Sequence, residues 1–453
     1  MTVRIEPPAG VVALMERLWQ HGHSAFVVGG SVRDTILGRP AADWDLATDA
    51  LPERLLEIFP GAEYENKFGT VSVREQGEAY QVTTFRTDHD YADFRRPHRV
   101  EFGTELEVDL ARRDFTVNAI AWGASAQPGA GGDPAPGLVD PFGGVADINA
   151  RTLRAVGEPG ARFQEDALRM VRAVRLAAVL EFTIEPATFQ AIRANAALAG
   201  HVSGERVAAE LQKLLLAPRP SIGLRLMAES GLLDILLPEL AAQRGIAQNK
   251  IEGEDLFGHT LRSVDAVPAD RPVVRLAALL HDIGKPSTID DGPFRGHEIV
   301  GADLAATLLD RLHFPRTANE RVVHLVRNHM FTYEPDWGDA GVRRFIQRAR
   351  ADSIDDLFAL RQADNVGSGL DPEAHDLAGL RARVAAELAA SVVLDRSRLA
   401  VHGDDLMAEL GVPAGPRLGR ILDALLELVI ADPKRNDRAT LLLLAESMLA
   451  DEA

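Results

Sequence analysis

Over residues 1–150, apolar positions come in short runs of β-branched and aromatic residues, punctuated by glycine and charge. SAFVVGG, AEYENKFGTVSVREQG, EAYQVTTFR and FTVNAIAWG read as strands on that pattern. From residue 161 the spacing becomes helical. ARFQEDALRMVRAVRLAAVL predicts one continuous helix, and LAALLHD, ADLAATLLDRL, RLGRILDALLELVI and ATLLLLAESMLA repeat the period. Between two strand-like runs lies ASAQPGAGGDPAPG, residues 124–137, too rich in Pro and Gly for regular structure. It reads as a loop inserted within a domain. The expected fold class is α+β: a head of mixed β-sheet and helices, then an all-helical remainder.

A chain of 453 residues exceeds one ordinary core, and domains of ~150 residues predict roughly three. The pattern separates a head (1–150) from a helical remainder; the finer division expected within it, a neck (151–245), a body (246–370) and a tail (371–453), rests on motif resemblance rather than periodicity. No short-period repeat signals a solenoid. The chain has no cysteine, which excludes a disulfide scaffold, a thiol nucleophile and any Cys-ligated metal. MTVRIEPPAG has no basic stretch followed by an apolar run, and no stretch approaches the ~18 apolar residues of a membrane span. A cytoplasmic protein with no membrane partner is expected.

The net charge of −18 argues against a polyanionic partner. Local composition changes that picture. Arg95, Arg96, Arg99, Arg112 and Arg113 lie close together, followed by Arg162, Arg169, Arg172 and Arg175. A basic cleft in an acidic protein is therefore expected, running from head to neck, against the alternative of ordinary solvated helix faces.

Candidate chemistry begins at Gly29-Gly30-Ser31-Val32-Arg33-Asp34, directly after the apolar run Ala25–Val28. Two glycines allow a tight turn and close approach to a ligand, and a helix starting there presents amides to phosphate. Asp43-Trp44-Asp45 follows. On a strand, residues two apart share a face, so the two carboxylates would offer hard oxygen ligands to Mg²⁺. Arg113 and Asn118 add a cation and an amide beside an apolar run. Asp166 and Arg169, three apart on the expected helix, would be surface neighbours able to present a hydrogen-bonding edge, or simply an ion pair.

Taken together, GGSVRD, DWD, RRDFTVNA and EDALRMVRAVR resemble the class II tRNA nucleotidyltransferase and bacterial poly(A) polymerase family, in order and spacing, over nearly the whole chain. The resemblance implies that Asp43 and Asp45 hold catalytic Mg²⁺. It implies that Gly30, Arg33 and Arg113 contact the nucleotide, that Asn118 shapes the sugar pocket, and that Asp166 and Arg169 select CTP or ATP by their base edges. Arg172 and Arg175 match positions assigned to nucleotide or RNA phosphates. Glu205, Arg206 and Glu210 in SGERVAAEL match a motif that braces the neck. The implied activity is completion of the 3′-terminal CCA of tRNA. RTDHDYADFRRPHRV, residues 86–100, reads as a charged polar loop and resembles the loop that family members use in switching from C to A addition. Addition of the terminal A alone is the runner-up. Poly(A) synthesis ranks lower, because NKFGTVSVRE stands where such enzymes carry a basic Arg-Arg-Phe-like segment.

A second constellation follows in the helical body. His281-Asp282 ends the apolar run LAALL, with His259 upstream in FGHTL, Lys285 and His297 soon after, and Asp364 in LFALRQADN. Imidazole and carboxylate together suit a divalent metal. His259, His281, Asp282 and Asp364 resemble the four-ligand pattern of the HD phosphohydrolase superfamily. That implies a metal-dependent phosphohydrolase, or a body serving only as a platform for tRNA. A hydrolase with an inactive head and a non-catalytic RNA-binding protein complete the alternatives. The oligomeric state is left open.

Overall fold

The run Ala25–Val28 forms β1, a strand of four apolar residues buried on both faces. It lies inside the head sheet of a computed structural model that describes residues 4–41, 43–66, 68–92, 96–125, 135–248, 250–291, 294–390 and 393–451. The further strands are β2 (Asp45–Thr48), β3 (Glu63–Asn66), β4 (Thr70–Glu75), β5 (Glu78–Thr84), β6 (Arg86–Ala92), β7 (Arg96–Phe102), β8 (Ala121–Ala124), β9 (Gly137–Val139), β10 (Thr152–Leu153) and β11 (Thr183–Ile184).

Seven of these make one mixed sheet in the order β3-β4-β5-β2-β1-β8-β9, with β2 and β5 parallel and the other neighbours antiparallel. Phe26, Val28, Ala47 and Phe85 pack from the sheet onto Leu110, Ala119 and Val156. In the antiparallel registers Val28 faces Asp45 on one side and Ala121 on the other. The exit of β1, the entrance of β2 and the residues preceding β8 therefore meet at one edge.

Four details differ from the sequence pattern. Asp43 precedes β2, which starts only at Asp45. In FTVNAIAWG, Thr116–Asn118 is a 3₁₀ turn and the strand begins at Ala121. Residues 86–100, expected as a loop, supply β6 and β7, a hairpin with Arg86 opposite Phe102. Backbone pairing supports those strands, and a charged sequence without apolar alternation gave no sign of it. The expected continuous helix from residue 161 is two, Pro159–Glu165 and Leu168–Leu180, because Asp166 is extended (φ −147°, ψ 104°). Arg95, the side chains of Arg96 and Arg99, and residues 126–134 of the inserted loop lie outside the described residues.

The chain divides into two compact units, Met1–Ala241 and Ala242–Ala453. The second is helical. Leu256–Ala266, Pro272–Leu280, His297–Arg311, Arg316–Asn328 and Ile354–Gly367 surround the His-Asp pair. Further on, Pro416 opens the helix Pro416–Ala431, where its missing amide is harmless. Ile421, Leu425 and Val429 pack there with Leu441 and Ala445. None of the described helices is long and apolar enough to cross a membrane.

In the second unit Gly284 packs directly against backbone. A Cβ there would lie 2.2 Å from the carbonyl oxygen of His297 and 2.6 Å from the amide nitrogen of Gly301. Both are backbone atoms, so neither can swing aside. Gly284→Ala is expected to destabilise this unit by about 1–3 kcal/mol, read as a lower denaturant midpoint for its unfolding.

Candidate active site

The tight turn after β1 needs glycine twice over. Gly29 adopts φ +80°, and a Cβ on it would sit 3.0 Å from Nη1 of Arg113. Its amide donates to the carbonyl of Ile120 at 3.1 Å, tying the turn to the segment before β8. Gly29, Gly30, Asp43 and Asp45 line one cleft of about 720 Å³. Arg33, Arg86, Arg112, Arg113, Arg169, Arg172, Arg175, Arg206 and Lys213 also line it, against Asp34, Asp43, Asp45, Asp114 and Asp166. Nine cations facing five carboxylates make the cleft locally basic in an acidic chain, and the excess lies on both head and neck residues.

The side-chain carboxylates of Asp43 and Asp45 make no hydrogen bond or ion pair with other described residues, although both line the cleft. The Asp45 carboxyl is raised by desolvation in the cleft. Arg113 opposes that rise and the neighbouring Asp43 charge adds to it. Two acceptor-only groups that repel each other and lack donors suit a hard divalent cation, so the residues present fit such an ion.

Arg33, Asn118, Asp114 and Arg172 form a continuous chain across the cleft. Arg33 Nη1 donates to Asn118 Oδ1 at 2.6 Å, and its Nε donates to Asp34 at 2.9 Å. Asn118 Nδ2 donates to Asp114 Oδ1 at 3.2 Å, and Arg172 donates from Nε to Asp114 Oδ2 at 2.8 Å. Burial would raise the Asp114 carboxyl, but Arg172 and Asn118 hold it down to about 2. Arg175 pairs with Glu210 at 2.5 Å. Arg172 and Arg175 thus reach the cleft while engaged with carboxylates. Arg113 is less committed: its buried Nε has no hydrogen-bond partner among the described residues, which leaves donor capacity for an anion.

Asp166 and Arg169 both line the cleft but are not paired with each other. Asp166 sits in the break between two helices and accepts from Arg206 Nη2 at 2.7 Å. Arg169 is fixed by Glu165 at 2.6 Å and by the carbonyl of Arg112 at 2.9 Å. Sequence spacing missed Arg206 and Glu165 as the groups that orient this pair. The matched SGERVAAEL motif pointed to Arg206 only as a brace.

In the second unit, His259, His281, Asp282 and Asp364 converge. His259 Nε2 lies 3.1 Å from His281 Nε2, 3.3 Å from Asp282 Oδ2 and 3.3 Å from Asp364 Oδ1. Ligands about 2.1 Å from a shared ion sit about 3.0–3.4 Å apart, so the donor set fits a transition-metal cation. Burial opposes ionisation of Asp282, yet His281 and Lys285 keep its carboxyl well below the usual range. Burial pushes the His329 imidazole down to about 3, helped by His281. Lys285 donates to Asp282 at 2.6 Å and Arg361 to Asp364 at 2.8 Å. His329 was not singled out in the sequence, since a lone His at a helix end carries no pattern.

Comparison with known proteins bears on both sites. Residues 25–154 match a family model described as the poly A polymerase head domain. Residues 181–244 match one for a probable RNA and SrmB-binding site of polymerase A, and residues 249–369 match the HD domain. A CCA-adding enzyme of Geobacillus kaustophilus is 36% identical over 445 residues, covering 96% of each chain. The chain belongs to the CCA-adding enzyme family. With the CCA-adding enzyme of Geobacillus stearothermophilus identity is 48% over 241 residues, a match spanning 53% of this chain and 57% of that protein. An A-adding tRNA nucleotidyltransferase of Deinococcus radiodurans is 35% identical over 423 residues, 89% of this chain and 91% of that one. The crystal structure of the Bacillus stearothermophilus CCA-adding enzyme in complex with CTP superposes with a TM-score of 0.73 at 32% identity, covering 99% of both chains. The mixed-sheet head followed by helices is thus the fold of this family, and the chain has the nucleotidyltransferase head and the HD domain that go with it.

Because Asp114 titrates below its ordinary value of 3.8, its charge stabilises the fold above pH 4. That contribution, about 2 kcal/mol, is lost as pH falls from about 4 through about 2. Asp114→Asn is expected to remove that part of the acid slope, measured by denaturant unfolding at stepped pH.

Proposed function

We propose that the chain completes or repairs the 3′-terminal CCA of tRNA, taking CTP and ATP and releasing pyrophosphate, in the cytoplasm. The observation that carries this is the pair Asp43 and Asp45, unpartnered carboxylates lining a basic cleft beside the Gly29-Gly30 turn. Asp43 and Asp45 are read as the residues that hold Mg²⁺. A divalent cation there supplies stabilisation of charge on the α-phosphate and makes the RNA 3′-hydroxyl easier to deprotonate.

The chain's own residues do the positioning. Gly30 lets the triphosphate approach the backbone, and Arg33 and Arg113 neutralise it. Asn118, held between Arg33 and Asp114, borders the sugar. Asp166 accepts and Arg169 donates hydrogen bonds to the base, each pinned by a partner, so their edges are fixed before a nucleotide arrives. Arg172 ties Leu168–Leu180 to Asp114 of the head, Arg175 pairs with Glu210 of the next neck helix, and both add positive potential for phosphates. The helices of residues 151–245 are read as the RNA-binding neck. The HD site is read as a metal-dependent phosphohydrolase centre built on His259, His281, Asp282 and Asp364.

Addition of A alone is the second reading, favoured by the likeness to the Deinococcus enzyme. Incubation with tRNA lacking CCA, and labelled CTP or labelled ATP, separates the two. Incorporation of both nucleotides is expected, and failure to incorporate C removes the full-CCA reading. Asp43→Ala and Asp45→Ala are each expected to lower incorporation by about a thousandfold or more. Arg206→Ala frees Asp166, so the KM for both nucleotides is expected to rise about tenfold and discrimination against GTP and UTP to weaken, as steady-state kinetics would report.

A further inference from the structure

We propose that Asp109, a carboxylate behind the cleft, is a positioning residue for nucleotidyl transfer: it holds the Arg113 guanidinium at the Gly29-Gly30 turn, where the triphosphate docks. The proposal rests on the reading of that cleft as the nucleotide site.

Asp109 lies in the helix Leu106–Ala111, whose Leu110 packs into the core of the head sheet. The helical turn continues through Arg112 (φ −81°, ψ −7°), so Arg112 and Arg113, three and four residues on, both return to the same carboxylate. Arg112 donates to Oδ1 from Nε at 2.9 Å and from Nη2 at 2.7 Å. Arg113 donates to Oδ2 from Nη2 at 3.4 Å. The amide of Arg86, where β6 starts, reaches Oδ1 at 3.4 Å. Asp109 itself is 1% exposed, whereas Arg86, Arg112 and Arg113 all line the cleft. A carboxylate so placed acts on a nucleotide only through the cations it holds.

Charge gives the arrangement its purpose. Burial would raise the Asp109 carboxyl, but Arg112 and Arg113 keep it below the ordinary range. Burial pushes the Arg113 guanidinium down, the adjacent Arg112 charge adds to that, and the Asp109 carboxylate is the main group opposing both. With Asp109 neutral, two neighbouring cations would repel each other in a poorly hydrated wall. The two pairings are unequal. Arg112 is gripped by a short fork and steadies the carboxylate. Arg113 is held at one nitrogen, donates to the carbonyl of Asn118 at 3.5 Å and keeps Nε without a partner among the described residues. Its Nη1 lies 3.0 Å from where a Cβ on Gly29 would stand, so the guanidinium rests against the turn with donor capacity left over.

Steady-state kinetics on the full chain test this, with CTP on tRNA lacking CCA and ATP on tRNA ending in CC. Asp109→Asn keeps the shape and drops the charge. It is expected to raise KM about tenfold for both nucleotides alike, because Asp166 and Arg169 still read the base, and to change kcat by less than about threefold. Arg113→Ala should raise KM as well, and Asp109→Asn added to it should raise KM no further, since the two residues act as one unit. KM effects that multiply in the double variant overturn the proposal. So does an unchanged KM in Asp109→Asn beside a lowered melting temperature, the mark of a carboxylate that only supports the fold. If Asp109→Asn does not fold, the unaltered chain decides: its crystal structure with CTP should show Arg113 bound to Asp109 and to the triphosphate together. A guanidinium more than about 4 Å from Asp109 in that complex overturns the proposal. Failure of the unaltered chain to incorporate either nucleotide removes the reading of the cleft and the proposal with it, whereas incorporation with any adverse result above removes the proposal alone.

Discussion

A buried carboxylate, Asp114, ties the sheet-bearing head to the helix Leu168–Leu180. It follows Arg113 and takes the amide of Phe115 and the side chain of Asn118 on one oxygen, and the guanidinium of Arg172 on the other. Left unpaired, that charge would cost several kcal/mol at such depth. The ion pair therefore fixes where Leu168–Leu180 lies against the sheet, and with it the distance between the carboxylates of the turn and the base-reading pair. A second ion pair, Arg175 with Glu210, ties Leu168–Leu180 to the helix Gly204–Leu215. The cleft keeps its cationic character because its lining arginines and lysine outnumber its carboxylates.

The strands of the head were legible because β1, β4 and β5 are short apolar or alternating runs between turn residues, a pattern that does not depend on neighbours. The turn at Gly29 was legible for a related reason: φ +80° admits little but glycine. What escaped notice depends on tertiary context. The spacing predicts that Asp43 and Asp45 share a strand face; β2 starts only at Asp45, yet both residues line the cleft. Asp166 reads as helical by its flanks, yet the chain extends there, and its partner Arg206 is 40 residues away. No local pattern encodes such a pairing. His329 is a similar case, one imidazole at a helix end whose meaning comes from His297 and Asp282.

The two chemical centres differ in donor type, and this separates their preferences. The head offers carboxylate oxygens alone, in an open cleft, which suits a hard ion that keeps water and exchanges with its nucleotide. The HD cluster offers buried imidazoles with carboxylates, a donor set that suits a borderline ion. The difference lies in the donor atoms alone: oxygens in the cleft, nitrogens with oxygens in the HD cluster.

The separation of charge has its own consequence for capture. With acidic residues in excess over the chain as a whole and cations outnumbering carboxylates in the cleft, a strand of phosphates is drawn toward the cleft against the chain's overall repulsion. Selectivity of landing then arises before any contact forms: the field acts as a funnel whose walls are the protein's own surplus of negative charge. Added salt would flatten the walls and the funnel's mouth together, so encounters would lose orientation as well as speed.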